Sequence, residues 1–125
     1  MILLDTNYLI RTLVPGSIES GEVLEWFQGG EELCTSSVAW YEFLCGPVDH
    51  EGVLIVKAIL SERILPFTAD MAAESSRLFN AIDRKRAFRV DAMIAAGAIV
   101  ANAELATDNT TDFEQFVCHG LRLVR

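Results

Sequence analysis

Short apolar runs alternate along the chain with longer stretches in which apolar and polar residues recur at helical spacing. Ile2-Leu3-Leu4 is an unbroken apolar run that stops at Asp5-Thr6-Asn7, the pattern of a buried strand feeding a helix start. A helical turn or two is predicted over Tyr8–Val14, closed by Pro15-Gly16. Ser17 then caps a helix running to about Gln28, with Ile18, Val23, Leu24 and Phe27 as its apolar side and Gly29-Gly30 as its stop. Glu32–Ser36 reads as a second strand, followed by a helix capped by Ser37 that carries Val38, Ala39, Tyr41, Glu42 and Phe43 as far as Gly46-Pro47. Gly52–Ser61 is predicted helical and Ile64–Phe67 a third short strand.

The second half continues the alternation. Asp70–Arg86 has the period of a long amphipathic helix with Met71, Ala72, Leu78, Phe79 and Ile82 inward. Val90–Ala103 is apolar all round and rich in Ala and Gly, which marks a buried helix able to lie close to a sheet, and it carries Asp91 in its first turn. Leu105–Thr107 reads as a fourth strand, Asp108–Glu114 as a polar loop, and Leu121–Val124 as a closing fifth strand. With no internal repeat or linker, the 125 residues form one α/β domain, 1–125, with a short, mainly parallel sheet covered by helices.

Composition narrows the picture. Three cysteines, Cys34, Cys45 and Cys118, stand far apart with no zinc spacing, and no charged leader or bilayer-length apolar run follows Met1. A reduced, cytoplasmic protein with no membrane role is expected. The 10 basic and 18 acidic residues give a net charge of −8, the wrong sign for gripping nucleic acid by general electrostatics. Clustered carboxylates that hold divalent cations would invert that field locally.

Such a cluster is readable. Asp5 ends an apolar strand, Asp91 opens an apolar helix, Glu42 lies among Tyr41, Phe43 and Leu44, and Asp108 and Asp112 follow another apolar strand. Parallel strands bring their C-terminal ends to one edge of the sheet, where open α/β folds bind ligands. Carboxylates gathered there repel, and either raise their pKa values or recruit a hard cation such as Mg²⁺ or Mn²⁺. Such ions lower the pKa of a bound water and stabilise charge growing on a phosphoryl group, which is the chemistry of phosphodiester hydrolysis.

The ILLDTN opening, the SSVAWYEF segment, the R-x-x-D-A-x-I-A-A helix start and the LATDNTTDFE loop resemble PIN-domain ribonucleases, especially VapC-type toxins. The resemblance spans essentially the whole chain, and four segments agree in type, order and spacing. It implies a three-layer α/β/α sandwich and a Mg²⁺/Mn²⁺-dependent endoribonuclease, the toxin of a toxin–antitoxin pair. By it, Asp5, Glu42 and Asp91 are the core acids, with Asp112 as the fourth catalytic acid, and Asp108 joins these four as a candidate metal ligand. Thr6 and Asn7, with Thr107 and Asn109, are expected to orient the acids. Family members often read T-R-N-x-x-D-F where this chain has Thr107-Asp108-Asn109-Thr110-Thr111-Asp112-Phe113, so Asp112 matches the acid and Asp108 stands in place of Arg. Asp108 either supplies a ligand or weakens RNA binding. Expected partners are an RNA substrate, a second copy of the chain, and an antitoxin that inserts into the acidic groove.

Each residue also has a bland reading. Asp5-Thr6-Asn7 alone reads as a helix cap, Glu42 as a solvated helix residue, Asp91 as an anion at a helix N-terminus, and Asp108 and Asp112 as turn formers. Arg84-Lys85-Arg86 with Arg89, four of the ten basic residues, either guide RNA phosphates toward Asp91 or stabilise a helix C-terminus. His50 and His119 lack metal spacing, and Trp26 and Trp40 read as core or dimer-interface groups. A haloacid-dehalogenase-type phosphatase needs a second Asp where this chain has Asn7, and a receiver module needs an early acidic pair and a late Lys that are both missing. The remaining alternative is a catalytically silent PIN-fold scaffold that binds or regulates RNA.

Overall fold

A computed structural model describes all residues, 1–125. Four strands form a parallel sheet in the order β3-β2-β1-β4: β1 (Ile2–Leu4), β2 (Leu33–Ser36), β3 (Ile64–Leu65) and β4 (Glu104–Ala106). β1 pairs with β2 through Ile2–Leu33 and with β4 through Ile2–Glu104, so β1 is central and buried on both faces, as its uninterrupted apolar run requires. Chain order runs one way from β1 to β2 and β3, then returns to the other side of β1 for β4. The crevice between the C-terminal ends of β1 and β4 is therefore the topological switch point of the sheet. Helices complete an α/β/α sandwich.

Seven helices connect the strands: α1 (Thr6–Thr12), α2 (Ile18–Gln28), α3 (Ser37–Cys45), α4 (His50–Ile59), α5 (Ala69–Ala81), α6 (Arg89–Val100) and α7 (Thr110–Glu114). Their starts carry side-chain caps: Asp5 on α1, Ser17 on α2, Ser36 on α3, Asp49 on α4 and Thr68 on α5. The cap of α3 is thus Ser36, the last residue of β2, rather than Ser37, whose hydroxyl instead donates to the Leu65 carbonyl at 2.9 Å. Most of α6 is buried, with Ala92 and Ile94–Ala98 fully covered and only Arg89, Val90 and Val100 exposed at its ends. Gly97 brings it close to the sheet, where an added Cβ would meet Ser36 at 3.6 Å and Leu3 at 3.8 Å, and Ala95, Ala96 and Ala98 are buried without bulk.

Further expectations need correction: β3 ends at Leu65 rather than Phe67. α5 ends at Ala81, not Arg86; Asp83 and Arg84 adopt left-handed backbone (φ 63° and 55°), and a 3-10 turn over Arg86–Phe88 leads into α6. Ile82 prolongs the apolar period beyond the helix because it is buried from the turn itself. The apolar side assigned to α2 is mostly uncovered: Val23 is buried, but Ile18, Leu24 and Phe27 are exposed, as is Ala72 on α5. Asp108–Glu114 is not all loop, since Thr110–Glu114 winds into α7. The closing segment Leu121–Val124 makes a single parallel bridge, Leu123 to Leu105, instead of a strand.

No helix is long and apolar enough to cross a membrane. Trp26 is half-buried and stacks on Tyr8, and Trp40 is half-buried against Phe43, so both contribute to the core edge. His50 is exposed on α4 and His119 half-buried near the C-terminus. All three cysteines are free, Cys34 buried in β2 and the others exposed.

Candidate active site

Asp5 is the pivot of the switch point. It leaves the buried end of β1, where its backbone N–H donates to the Ala106 carbonyl of β4 at 3.0 Å, and its carboxylate caps α1. The side chain is 4% exposed, a burial that a carboxylate tolerates only with donors around it. It accepts from the Thr6 N–H at 2.8 Å, from the Thr107 hydroxyl at 2.7 Å and from Asn7 Nδ2 at 3.2 Å. Burial is nevertheless the larger influence: it raises the carboxyl above its ordinary range, helped by Glu42, while these hydrogen bonds pull it down. Below it, the Thr35 hydroxyl donates to the Leu4 carbonyl at 2.7 Å and fixes the strand end.

Three further carboxylates join Asp5 in one cluster, in which Asp91 feels Asp5, Asp112 and Glu42. Glu42, exposed on α3, accepts from the Thr6 hydroxyl at 2.8 Å, so Thr6 touches two acids through two different groups. Asp91 lies half-buried in the first turn of α6, and its carboxyl is pushed up to about 6 by burial first, then by Asp5, Asp112 and Glu42. The N-terminal end of a helix favours an anion, yet this carboxyl rises, so burial and the neighbouring acids outweigh the helix end. Asp112, half-buried on α7, is the third acid acting on Asp91. None of these four carboxylates forms an ion pair.

Asp108 belongs to another group. Its backbone N–H donates to Asn7 Oδ1 at 3.1 Å, but its carboxylate turns to Arg11, 3.6 Å away, which also lies 3.9 Å from Glu19. Partial burial raises the Asp108 carboxyl, Glu19 and Glu22 add to the rise, and Arg11 opposes it. Glu22 in turn accepts from the Tyr8 hydroxyl at 3.3 Å, and burial with these acids raises the Tyr8 phenol. Arg11, Glu19 and Glu22 carried no signal in the sequence beyond Arg11 standing four residues after Asn7, on the same helix face.

Of the orienting residues, Thr6, Asn7 and Thr107 touch Asp5 directly, and Thr107 also accepts from the Asn109 N–H at 3.0 Å. Asn109 therefore enters through its backbone at the start of α7. Arg84, Lys85, Arg86 and Arg89 are exposed at the α5–α6 connection, outside the carboxylate cluster. The gathered donors are all hard oxygens of the kind Mg²⁺ and Mn²⁺ take. No three acidic, histidine or cysteine side chains close around a single ion point by themselves.

The chain can now be set beside known proteins. A chain of FitAcB from Neisseria gonorrhoeae superposes with a TM-score of 0.74 at 23% identity, covering 100% of this chain and 97% of that one. A chain of DNA-bound VapBC from Salmonella typhimurium gives 0.77 at 22% identity, covering 98% and 96%. A toxin–antitoxin complex from Klebsiella pneumoniae gives 0.68 at 30% identity, covering 90% of each chain. Among curated protein sequences none is significantly similar. The sequence profile of the PIN domain matches residues 2–116, which takes in β1, the carboxylate cluster and α7, and the chain therefore belongs to the PIN domain family.

Proposed function

We propose that this chain is a Mg²⁺- or Mn²⁺-dependent endoribonuclease, the toxin of a toxin–antitoxin pair. PIN domains are generally nucleases. The observation that carries the reading is the buried Asp5 carboxylate, held by three donors at the switch point and clustered with Glu42, Asp91 and Asp112, none of which forms an ion pair. A site that collects negative charge without neutralising it is suited to a divalent ion.

In this reading Asp5 and Asp91 hold the ion, with Asp112 and Glu42 completing the negative surround. When bound, Mg²⁺ or Mn²⁺ would supply stabilisation of charge on the phosphoryl oxygens and a lowered pKa for the attacking water. The protein's part is orientation. The Thr6 N–H, Asn7 and Thr107 fix the Asp5 carboxylate from three directions, and the Thr6 hydroxyl fixes Glu42, so the donors need little rearrangement when substrate arrives.

An antitoxin as partner is supported by the toxin–antitoxin complexes among the similar structures. The surface offers a matching place: a groove of about 490 Å³ runs between α1 and α4, lined by Ile10, Leu13, Val14, Phe43, Val48 and Ile55. Ile10 and Phe43 lie on the same helices as Asn7 and Glu42, so the groove is built from elements that also carry the site. We read the chain as a homodimer acting in the cytoplasm.

The test is cleavage of a mixed pool of single-stranded and structured RNAs with Mg²⁺, Mn²⁺ or EDTA, comparing the wild type with Asp5→Asn. Metal-dependent cleavage that drops more than about a hundredfold in the variant is expected, since groups that merely orient ligands are worth 10–100-fold. No cleavage by folded wild type with either metal would leave the silent RNA-binding scaffold as the better reading.

A further inference from the structure

The acidic chain carries one concentrated exception. Arg84, Lys85, Arg86 and Arg89 are four of its ten basic residues, they fall within six consecutive positions, and all four are exposed. Arg11, Arg77 and Arg125 each pair with a carboxylate; these four, like the scattered Lys57, Arg63 and Arg122, do not, but only these four stand together. Their stabilising role at a helix C-terminus disappears with the corrected boundary: α5 stops at Ala81 and has no basic residue in its last turn. They stand instead just before and within the first turn of α6, the helix end whose partial positive charge repels cations.

The loop is held in place. Arg84 Nε donates to Asn80 Oδ1 at 2.8 Å, and the Arg84 N–H closes onto the Phe79 carbonyl at 2.9 Å across the left-handed pair Asp83-Arg84. Phe88 packs against the core, and the Arg89 guanidinium lies 5.8 Å over the Phe79 ring. Self-repelling cations, ordered and unneutralised, are what a polyanion binding site requires of a free protein.

The position relates them to the cleavage site. At about 1.5 Å per residue in α6 and 2 Å in the 3-10 turn, Arg86 lies on the order of 10 Å along the chain axis from Asp91, comparable to the Debye length at physiological salt. None of the four forms an ion pair with Asp5, Glu42, Asp91 or Asp112, so the loop leaves the acids free for a metal. We infer that the Arg84–Arg89 loop is the tract that binds the phosphates of the RNA strand beside the scissile one. This rests on the ribonuclease reading. It also answers the −8 net charge, because attraction is confined to one loop and the bound ions.

The experiment measures binding of a short fluorescent single-stranded RNA to full-length Asp5→Asn protein in Mg²⁺ across a salt series, with and without Lys85→Gln/Arg86→Gln. The substituted side chains are exposed, and matching thermal melts establish that both proteins are folded. Losing two phosphate contacts lowers the slope of log affinity against log salt by about 1.4 and weakens binding roughly tenfold near physiological salt. The charge-keeping swap Lys85→Arg/Arg86→Lys retains the slope. In the cleavage-competent chain, the double Gln change raises KM more than it lowers kcat.

If the wild type cleaves RNA but the slope and KM are unchanged by the double Gln substitution, the proposal alone is overturned, and the cations serve something else, such as an acidic protein segment. If the wild type neither binds nor cleaves RNA, the ribonuclease reading falls and takes this proposal with it.

Discussion

Two groups of acids share the C-terminal edge of this sheet, and Asn7 touches both, donating to Asp5 through Nδ2 and accepting the Asp108 N–H through Oδ1. In one group Asp91 feels Asp5, Asp112 and Glu42, and none of the four forms an ion pair. In the other, Asp108, Glu19 and Glu22 gather about Tyr8 and Arg11, and Arg11 offsets part of their charge. Nearness to a strand end is common to both. What separates them is the compensation: the second group resembles an ordinary partly solvated ion-pair network, worth little to stability, whereas the first is left in want of positive charge.

In the proposed reading that contrast favours Asp112 over Asp108 as the fourth acid, and exchanging each acid for its amide tests it most severely. Asp112→Asn is expected to cost more than about a hundredfold in metal-dependent cleavage, and Asp108→Asn less than about threefold. Equal losses would merge the two groups and dissolve the distinction. Thr107→Val removes the 2.7 Å hydroxyl donor to Asp5 at nearly constant volume, and a loss of about 10–100-fold, recovered in part by raised Mn²⁺, is expected. A Thr107→Ser variant keeps the donor and should lie near the wild type in the same assay.

How far the sequence foretold this depends on the kind of information needed. Asp5 and Asp91 were legible because a charge bordering an apolar run has few bland explanations. The choice between Asp108 and Asp112 was not, because it turns on Arg11 meeting Asp108 and on α7 winding up where Asp-rich spacing suggested only a loop. The end of α5 was missed for a different reason. No Gly or Pro stops it; Asp83 and Arg84 take left-handed backbone at a cost that burial of Ile82 and the Arg84–Phe79 hydrogen bond offset. Placing Ile18, Leu24 and Phe27 inside failed because periodicity identifies an apolar face without saying what covers it.

The mildest test of the contrast uses stability instead of activity. Asp91 in the folded chain titrates at about 6, above its ordinary 3.8, so the folded state holds that proton more tightly than the unfolded state does. Below 3.8 the group is protonated in both states and costs nothing. As pH rises from there through 6, folding must increasingly keep an unwelcome charge, and stability without metal falls, levelling off above 6. The full rise corresponds to ~3 kcal/mol, which the half-exposed position of Asp91 reduces to about 1 kcal/mol. Asp91→Asn should therefore raise Tm in EDTA by several degrees at pH 7.5 and by less at pH 4.5. Adding Mn²⁺ should narrow the difference at pH 7.5, because only the wild type gains fully from an ion bound to the folded state. An Asp91→Asn chain less stable than the wild type in EDTA at both pH values would mean that Asp91 acts chiefly as a favourable anion at the start of α6, and the contrast between the two groups of acids would lose its physical basis.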